Sequence, residues 1–294
     1  MISPLVRRKR LAKELREIRE AAGLTHEQLA KLVGLHRLKI SRLETAQVRP
    51  NVSDVMLLLD KLGVTGERWH KLIEVAADAG QHGWWSEWGD DMGERQLAYA
   101  DLESGANTIR EYNNYSIPGL LQSRDYNMAR AVQTRDKGEK VPDDLERQVS
   151  ARAARQRMLT RPSGPRYEAI LEEVVVRRPT APPAAMAEQL RHLMKLTEVD
   201  QYTILVLPIE AGLANYWALK APFSLYTYED PEDPNVVAVD LETEDRVSIE
   251  RSDVERYTEL YRRARDAALP EKNSMAFIKE AMAGFEQKSP NGKS

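Results

Sequence analysis

Two arginines five residues apart, Arg37 and Arg42, carry groups suited to binding polyanions and flat polar edges. Each guanidinium is a planar fork of N–H donors that matches two neighbouring acceptors, such as guanine O6 and N7. Ser41 adds a hydroxyl that donates and accepts. With helical spacing, these residues fall outside the apolar stripe formed by Ile40 and Leu43. The pattern predicts an exposed, basic helix face.

A short helix and a tight turn precede this face and would position it. Thr25 can cap the first helix, and Gln28, three residues later, completes a capping box. Gly34 stands where the chain must turn sharply, because glycine takes a positive φ without steric cost. The apolar face of the first helix consists of Leu29, Ala30 and Val33. The segment therefore predicts a helix-turn-helix that enters a DNA groove.

Residues 9–80 resemble the Cro/repressor-type (Xre) helix-turn-helix family, through R-x-x-x-G-L-T at 19–25, I-S-R-L-E at 40–44 and the following Arg-Pro. The resemblance implies that the second helix lies in the major groove with its N-terminal part near base edges. Arg19 and Glu44 are implied as a structural pair. The residues implied to bind DNA are His26, Gln28, His36, Arg37, Leu38, Lys39, Ser41 and Arg42.

Within that set, Arg37 and Arg42 are the best candidates for direct base readout, whereas Leu38 can only touch a thymine methyl. Three sites depart from the family pattern. His26 replaces a common Gln near a phosphate, His36 replaces a usual Ser or Thr cap, and Ala46-Gln47 replaces a usual Gly turn. The competing interpretation is that the arginines only solvate an exposed helix.

The charge of the chain is unevenly distributed. Net charge is −3 over 294 residues, but residues 1–50 hold 12 Lys/Arg against 5 Asp/Glu. A basic start joined to an acidic body suits a protein with one end that meets phosphates. There is no cysteine, which excludes disulfides and thiolate metal sites. Without an apolar leader or a membrane-length apolar run, a soluble cytoplasmic protein is expected.

The periodicity predicts an all-α, five-helix DNA-binding domain over residues 1–80, with a first helix at 5–22, a helix after Pro50 capped by Ser53, and a fifth from Thr65 to Ala79. A Trp-rich linker follows at 81–93. Its Trp84, Trp85 and Trp88 can stack on nucleic-acid bases or fasten the linker onto a core, and the second role is favoured.

Residues 94–286 are predicted to form an α+β regulatory or dimerisation domain, with helices packed on a small, mainly antiparallel sheet. A long helix at 94–113 leads to a turn, a helix capped by Ser123, a polar loop at 133–144 and an arginine-rich helix at 144–160 that pairs with acidic neighbours or binds DNA. Short runs rich in Val, Ile and Tyr predict strands, and residues 287–294 a disordered tail. Further helices are expected at 182–197, 251–269 and 274–286.

The C-terminal region also resembles a known family. The motifs IPGLLQS, RAARQRML, ILEEVVVRRP, VLPIEAGLANY and AALPEKNS are similar to the domain that follows Cro-type modules in WhiJ-like or Scr-type antitoxin-like actinobacterial regulators. This resemblance implies regulation, often beside a small partner protein. It implies no known chemistry.

No pattern for catalysis, cofactor binding or metal binding emerges. The five histidines show no metal-binding spacing, and neither a phosphate-binding loop nor a nucleophile elbow occurs. Glu172 and Glu173 are adjacent, so in a strand they point to opposite faces, and one of them can still face a pocket. An enzyme is therefore not expected, nor is a cofactor or a metal.

The leading hypothesis is a sequence-specific transcriptional regulator that binds double-stranded operator DNA and whose C-terminal domain makes a homodimer and senses a ligand or docks a partner. The alternative is an antitoxin-like protein that neutralises a small partner protein and binds DNA for autoregulation. Residues 227–256 hold 11 Asp/Glu against 3 Arg. We expect Glu229, Asp230, Glu232 and Asp233 to attract a basic partner or only to keep the domain soluble.

Overall fold

The computed structural model describes residues 1–133, 145–213, 218–241, 243 and 245–289. It divides into two compact units. The first unit comprises Met1–Gly89, Glu94–Ala106 and Tyr228–Pro234, and the second comprises Asp90–Gly93, Asn107–Thr227 and Asn235–Ser294. The first unit thus contains two segments that lie beyond the predicted domain boundary in the sequence. The predicted polar loop lies outside the described residues, as does most of the predicted tail.

Five helices form the N-terminal part of the first unit, as the sequence predicts. Their apolar faces meet in two adjoining clusters, one around Leu15, Val55 and Leu72 and the other around Leu29, Ile40 and Leu58. The helices are α1 (Pro4–Ala21), α2 (His26–Val33), α3 (Arg37–Glu44), α4 (Val52–Lys61) and α5 (Gly66–Gly80).

Side-chain caps set where four of these helices begin. The Ser3 hydroxyl accepts a hydrogen bond from the Val6 amide at the start of α1. Helix α4 begins two residues earlier than Ser53 would require, because Asn51 is its N-cap and accepts from the Ser53 amide at 2.9 Å. The prediction that Ser53 caps α4 is therefore wrong. Asn and Ser are comparable N-cap residues, so composition could not distinguish them.

The remainder of the first unit surrounds the start of α1. A 3₁₀ turn at Trp84–Trp88 buries Trp85, whose ring meets that of Trp84 edge-on at 6.0 Å. Helix α6 (Gly89–Gly105) follows and is interrupted at Gly93, which has a φ of 66°. In its last turns, the Asp101 carboxylate accepts from the Ser3 hydroxyl at 2.7 Å and from the Leu5 amide at 2.9 Å. The buried Trp85 has the fastening role that was favoured.

The second unit contains a six-stranded mixed sheet. Its strands run in the order β3-β2-β1-β4-β5-β6, and β1, β2 and β3 pair in parallel. Strands β4, β5 and β6 pair antiparallel. Their bounds are β1 (Ala106–Asn113), β2 (Arg166–Glu172), β3 (Tyr202–Leu207), β4 (Phe223–Tyr228), β5 (Val236–Val239) and β6 (Arg246–Ser248).

Side-chain contacts give the direction of β4 relative to β1. The hydroxyl oxygens of Thr108 and Thr227 lie 2.6 Å apart, and the rings of Tyr112 and Phe223 have centroids 5.7 Å apart. The start of one strand therefore lies beside the end of the other, so the two run antiparallel. As a consequence, β1, β2, β3 and β5 all end at the same edge of the sheet.

Helices cover both faces of this sheet. One face packs Tyr112, Phe223 and Val237 against Leu260 and Tyr261. Alternate strand residues on the other face are buried as well. At β3, Val206 accepts from the Leu269 amide at 2.8 Å, and its own amide donates to Ser274 Oγ at 3.0 Å. The helices are α7 (Arg124–Gln133), α8 (Leu145–Gln156), α9 (Glu173–Arg177), α10 (Pro183–Leu196), α11 (Arg251–Ala267) and α12 (Glu271–Glu286).

The predicted α+β region is confirmed, but two of its elements differ. Residues 106–113, expected as the end of a long helix, form strand β1. The predicted strand through Glu172 and Glu173 ends at Glu172, and Glu173 begins the short helix α9. Because the chain turns there, the opposite-face argument for the two carboxylates does not apply. Among the described residues, no helix is both long and apolar enough to cross a bilayer.

Candidate nucleic-acid interface

The turn between α2 and α3 is built from local hydrogen bonds. The Thr25 side chain accepts from the Gln28 amide at 3.2 Å, and the Gln28 side chain accepts from the Thr25 amide at 2.8 Å. Both halves of the predicted capping box are therefore present. Gly34 ends α2 with a φ of 69°, in the left-handed region that glycine tolerates best. These contacts fix the angle at which α3 leaves the turn.

His36 caps α3 through its ring. Nδ1 accepts from the Leu38 amide at 3.2 Å, and the side chain is exposed. Because Nδ1 serves as acceptor, a neutral ring carries its proton on Nε2. That donor belongs to an exposed side chain at the start of the helix, where backbone amides also favour an anion. His36 thus both caps the helix and can donate to a phosphate.

The outer face of α3 presents two exposed cations. Arg37 and Arg42 are exposed, and neither forms an ion pair within the described part of the chain. Leu38 is 48% exposed, and Ser41, partly exposed, lies on the same side one turn away. Residues at this spacing share a helix face. This face, formed by Arg37, Leu38, Ser41 and Arg42, is called the recognition face below.

Lys39 lies off the recognition face. Its Nζ is 2.6 Å from Asp54 Oδ2 on α4, and Asp54 is largely buried. The contact neutralises the ammonium and joins α3 to α4. Of the residues implied to bind DNA, Lys39 is therefore one whose charge is already satisfied within the fold.

His26 is also engaged inside the domain. Its Nε2 lies 2.9 Å from Glu44 Oε2, and Arg19 Nε donates to the same carboxylate at 2.8 and 3.0 Å. The hydrogen bond that Arg19 donates to Glu44 raises the pKa of Arg19 above its ordinary value, although burial opposes this. Arg19 Nη1 also donates to the Leu24 carbonyl at 2.7 Å. Through Glu44, these contacts join α3 to both α1 and α2, and they occupy Nε2 of His26.

Three of the four carboxylates in the acidic segment between β4 and β5 form ion pairs with basic side chains of the first five helices. Asp230 Oδ2 lies 2.9 Å from Arg7 Nη1 and 2.9 Å from Arg10 Nη1, and Asp233 Oδ1 lies 3.1 Å from Arg10 Nη1. Glu232 forms ion pairs with Arg10 and Lys71. Asp230 and Asp233 thus bind the basic end of α1, whereas Glu229 is exposed, and the two expected roles of the acidic segment, partner attraction and solubility, stay predictions.

The arginine-rich helix α8 only partly fits its predicted role. Arg147 pairs with Asp91 at 2.9 Å, as expected for an acidic neighbour. Arg152 instead donates to the side-chain oxygens of Gln122 at 3.0 Å and Asn127 at 2.5 Å. Burial, reinforced by the positive charges of Arg155 and Arg130, lowers the pKa of Arg152 to about 10. These contacts bring the IPGLLQS and RAARQRML segments together.

The edge where the parallel strands end holds a second polar group. The Tyr112 hydroxyl donates to Glu172 Oε1 at 2.6 Å, and partial burial raises the pKa of Glu172. Glu173 Oε2 accepts from the Ile209 amide at 3.1 Å. Two exposed apolar residues, Ile209 and Leu241, follow β3 and β5 at this edge. Over the described residues, no three potential metal ligands converge.

Two family models match the chain. A model described as a helix-turn-helix domain covers residues 10–72, which include the capping box and the recognition face. A model described as a domain of unknown function (DUF5753) covers residues 96–280, more than half of the sequence. The chain belongs to the DUF5753 family. Searches among curated proteins and among solved structures found no significant match.

The match to the helix-turn-helix model assigns a DNA-binding domain to the first helices of this DUF5753 protein, and DNA is accordingly a partner. Sequence reasoning identified this scaffold because its caps and turn are local. It missed the internal engagement of His26, Lys39 and the acidic segment. The partners of Glu232 and Asp233 on α1 are more than two hundred residues away in the sequence, so no local pattern could have revealed them.

Proposed function

We propose that the protein is a sequence-specific transcriptional regulator that reads operator DNA in the major groove through the recognition face and acts in the cytoplasm. The observation that supports this most strongly is the exposure of Arg37 and Arg42, which lack ion pairs among the described residues while most basic side chains of α1 are paired. Retaining two unneutralised guanidinium groups on one helix face suits binding to phosphates and guanines.

The test is DNase footprinting of the full chain on the region upstream of its own gene. Arg42→Ala should weaken binding to the protected site by about 1–3 kcal/mol if Arg42 contacts a guanine. Arg16→Ala is the matched control, because Arg16 is exposed on α1 and pairs only with Glu20, at 2.9 Å. Equal footprints for Arg42→Ala and the parent protein at physiological salt would remove Arg42 from the interface.

The regulator is further proposed to act as a homodimer of the Xre type. A single module of this size buries little surface, so tight binding requires two half-sites about one helical turn, 10–10.5 bp, or a multiple of it apart. Sedimentation of the full chain at micromolar concentration should show twice the monomer mass. A monomer there, together with a single unrepeated footprint, would refute the homodimer.

For the C-terminal region we propose a regulatory rather than an enzymatic role, either sensing a ligand or docking a partner. Two observations support it. The carboxyl ends of β1, β2 and β3 meet at one edge, the usual place for ligands in sheets with parallel strands. Exposed Ile209 and Leu241 lie on loops at the same edge, where they suit an apolar contact. Substituting both with Ser should abolish co-purification of any bound protein, and unaltered recovery would contradict partner docking there.

A further inference from the structure

The segment Tyr228–Pro234 joins β4 to β5, yet it packs within the first unit. Three of its carboxylates, Asp230, Glu232 and Asp233, are bound by α1, and Glu232 is the most exposed of them. Arg7 Nε lies 3.3 Å from Asp233 Oδ2, in addition to the 2.9 Å contact of Arg7 with Asp230. We call Arg7, Arg10, Asp230 and Asp233 the clasp.

The clasp contains charged side chains that are largely buried, so its ion pairs affect stability. The side chains of Arg10 and Asp233 are only 6% and 7% exposed. Charges withdrawn from water are stable only while both partners are present, because a single buried charge lacks compensation. Although burial tends to raise the pKa of Asp230, the Glu232 amide and the guanidinium groups of Arg10 and Arg7 lower it to about 2. The arginines of the clasp therefore keep the Asp230 carboxylate charged far below neutral pH.

A second set of contacts fastens the same end of α1. The Ser104 hydroxyl donates to the Ile2 carbonyl at 3.0 Å, in addition to the bonds from Ser3 and Leu5 to Asp101. Tyr228, at the start of the acidic segment, donates to the Leu102 carbonyl at 3.3 Å. The start of α1 is thus contacted by the chain immediately before β1 and by the chain between β4 and β5.

The segment that contacts α1 is covalently continuous with strands β4 and β5. A shift of β4 and β5 along their length must move the segment between them, and that segment is ion-paired to α1. Helix α1 in turn shares the Arg19–Glu44 contact with α3, which carries the recognition face. From the strands to the recognition face, every step is a hydrogen bond, an ion pair or the chain itself.

We propose that the clasp is a regulatory link, which couples the conformation of the β4–β5 hairpin to DNA binding by the first helices. The proposal rests on the proposed DNA-binding function for its biological meaning. Coupling of this kind is reciprocal, so DNA bound at the recognition face must change the stability of the hairpin by the same free energy that a change in the hairpin imposes on DNA binding.

Hydrogen exchange on the full chain tests the link in both directions. With a duplex from upstream of the gene, amides of Phe223–Tyr228 and Val236–Val239 should exchange more slowly in the parent protein. In Asp230→Asn/Asp233→Asn, the same DNA should protect α3 but no longer the hairpin. Glu229→Gln is the control, because Glu229 is exposed in the same segment and its substitution also removes a carboxylate charge, one instead of two. Protection of the hairpin that persists in the double variant would overturn the proposal.

A DNA-free measurement separates failure of the link from failure of the proposed function. Arg10→Met should raise the exchange of the Val236–Val239 amides by roughly tenfold, as expected from the loss of charge-assisted hydrogen bonds. Arg16→Met, which changes an exposed arginine on the same helix, should leave them unaltered. The milder Asp230→Asn alone serves if Arg10→Met does not fold. Equal exchange in parent and variants overturns the link, whether or not the duplex binds.

Discussion

The first unit uses arginine in two opposite ways. On α1, Arg7 and Arg10 are buried against carboxylates that come from far along the chain, whereas on α3, Arg37 and Arg42 are exposed and have no ion pair among the described residues. All four belong to the basic N-terminal fifth of the sequence, and charge counting treats them alike. A net charge of +7 over residues 1–50 therefore overstates the charge available to DNA, because the paired arginines of α1 stabilise the fold.

The largest effect should come from removing one side of the clasp. Arg10→Ala leaves Arg7 as the remaining clasp arginine for Asp230 and Asp233, and breaking a buried pair costs up to about 3–5 kcal/mol. Urea unfolding followed by tryptophan fluorescence would measure this loss. Arg42→Ala removes an exposed side chain and should change stability by no more than about 0.5 kcal/mol. Similar losses for the two variants would erase the distinction between the two pairs of arginines.

The salt dependence of DNA binding should change more when an arginine of the recognition face is replaced than when an arginine of the clasp is replaced. Arg42→Gln should reduce the slope of log affinity against log salt concentration by about 1 if Arg42 neutralises a phosphate. Arg7→Gln should leave the slope unchanged, because Asp230 and Asp233 already neutralise Arg7. Gel-shift titrations at several salt concentrations provide both slopes. A lower slope for Arg7→Gln would place α1 on the DNA.

Acid should weaken the clasp before it affects the recognition face. The folded-state pKa of Asp230 is about 2, below the value of about 3.9 for a free Asp, so its contribution to stability is complete above about pH 4 and is lost as the pH falls toward 2. Burial raises the pKa of Asp233, which works in the opposite direction. Asp230→Asn should therefore show a smaller fall in melting temperature between pH 4 and 2 than the parent. Parallel curves for the two proteins would show that Asp230 contributes nothing.

The smallest expected effect concerns the turn after α3. Ala46 has a φ of 57°, a region that costs a residue with a Cβ roughly 1–2 kcal/mol. Ala46→Gly removes that strain but adds backbone entropy to the unfolded chain, so a net gain of up to about 1 kcal/mol is expected. Gly34→Ala, at a φ of 69°, should have the opposite sign. Melting curves decide both, and a destabilised Ala46→Gly would contradict the strain argument.

What the sequence could predict follows from the range of the interactions. The capping box at Thr25 and Gln28 and the turn at Gly34 depend on neighbours within a few residues, and they were predicted correctly. Strand β1 was mistaken for helix because its buried residues Ala106, Ile109 and Tyr112 recur every three positions, which suits a helix equally well. Pairing with β2 and β4 decides its conformation, and those partners lie far along the chain. The clasp escaped prediction for the same reason.

The hydrogen bonds of the Val206 backbone affect how the outer strand β3 can pair with another copy of the protein. An outer strand of a sheet offers unpaired amides and carbonyls to any strand that approaches, and this is a route to aggregation. On β3, the amide of Val206 is occupied by the buried Ser274 hydroxyl and its carbonyl by the Leu269 amide. The start of α12 and the connection before it thus occupy the backbone groups near the end of β3, which removes them from pairing with a strand of another copy.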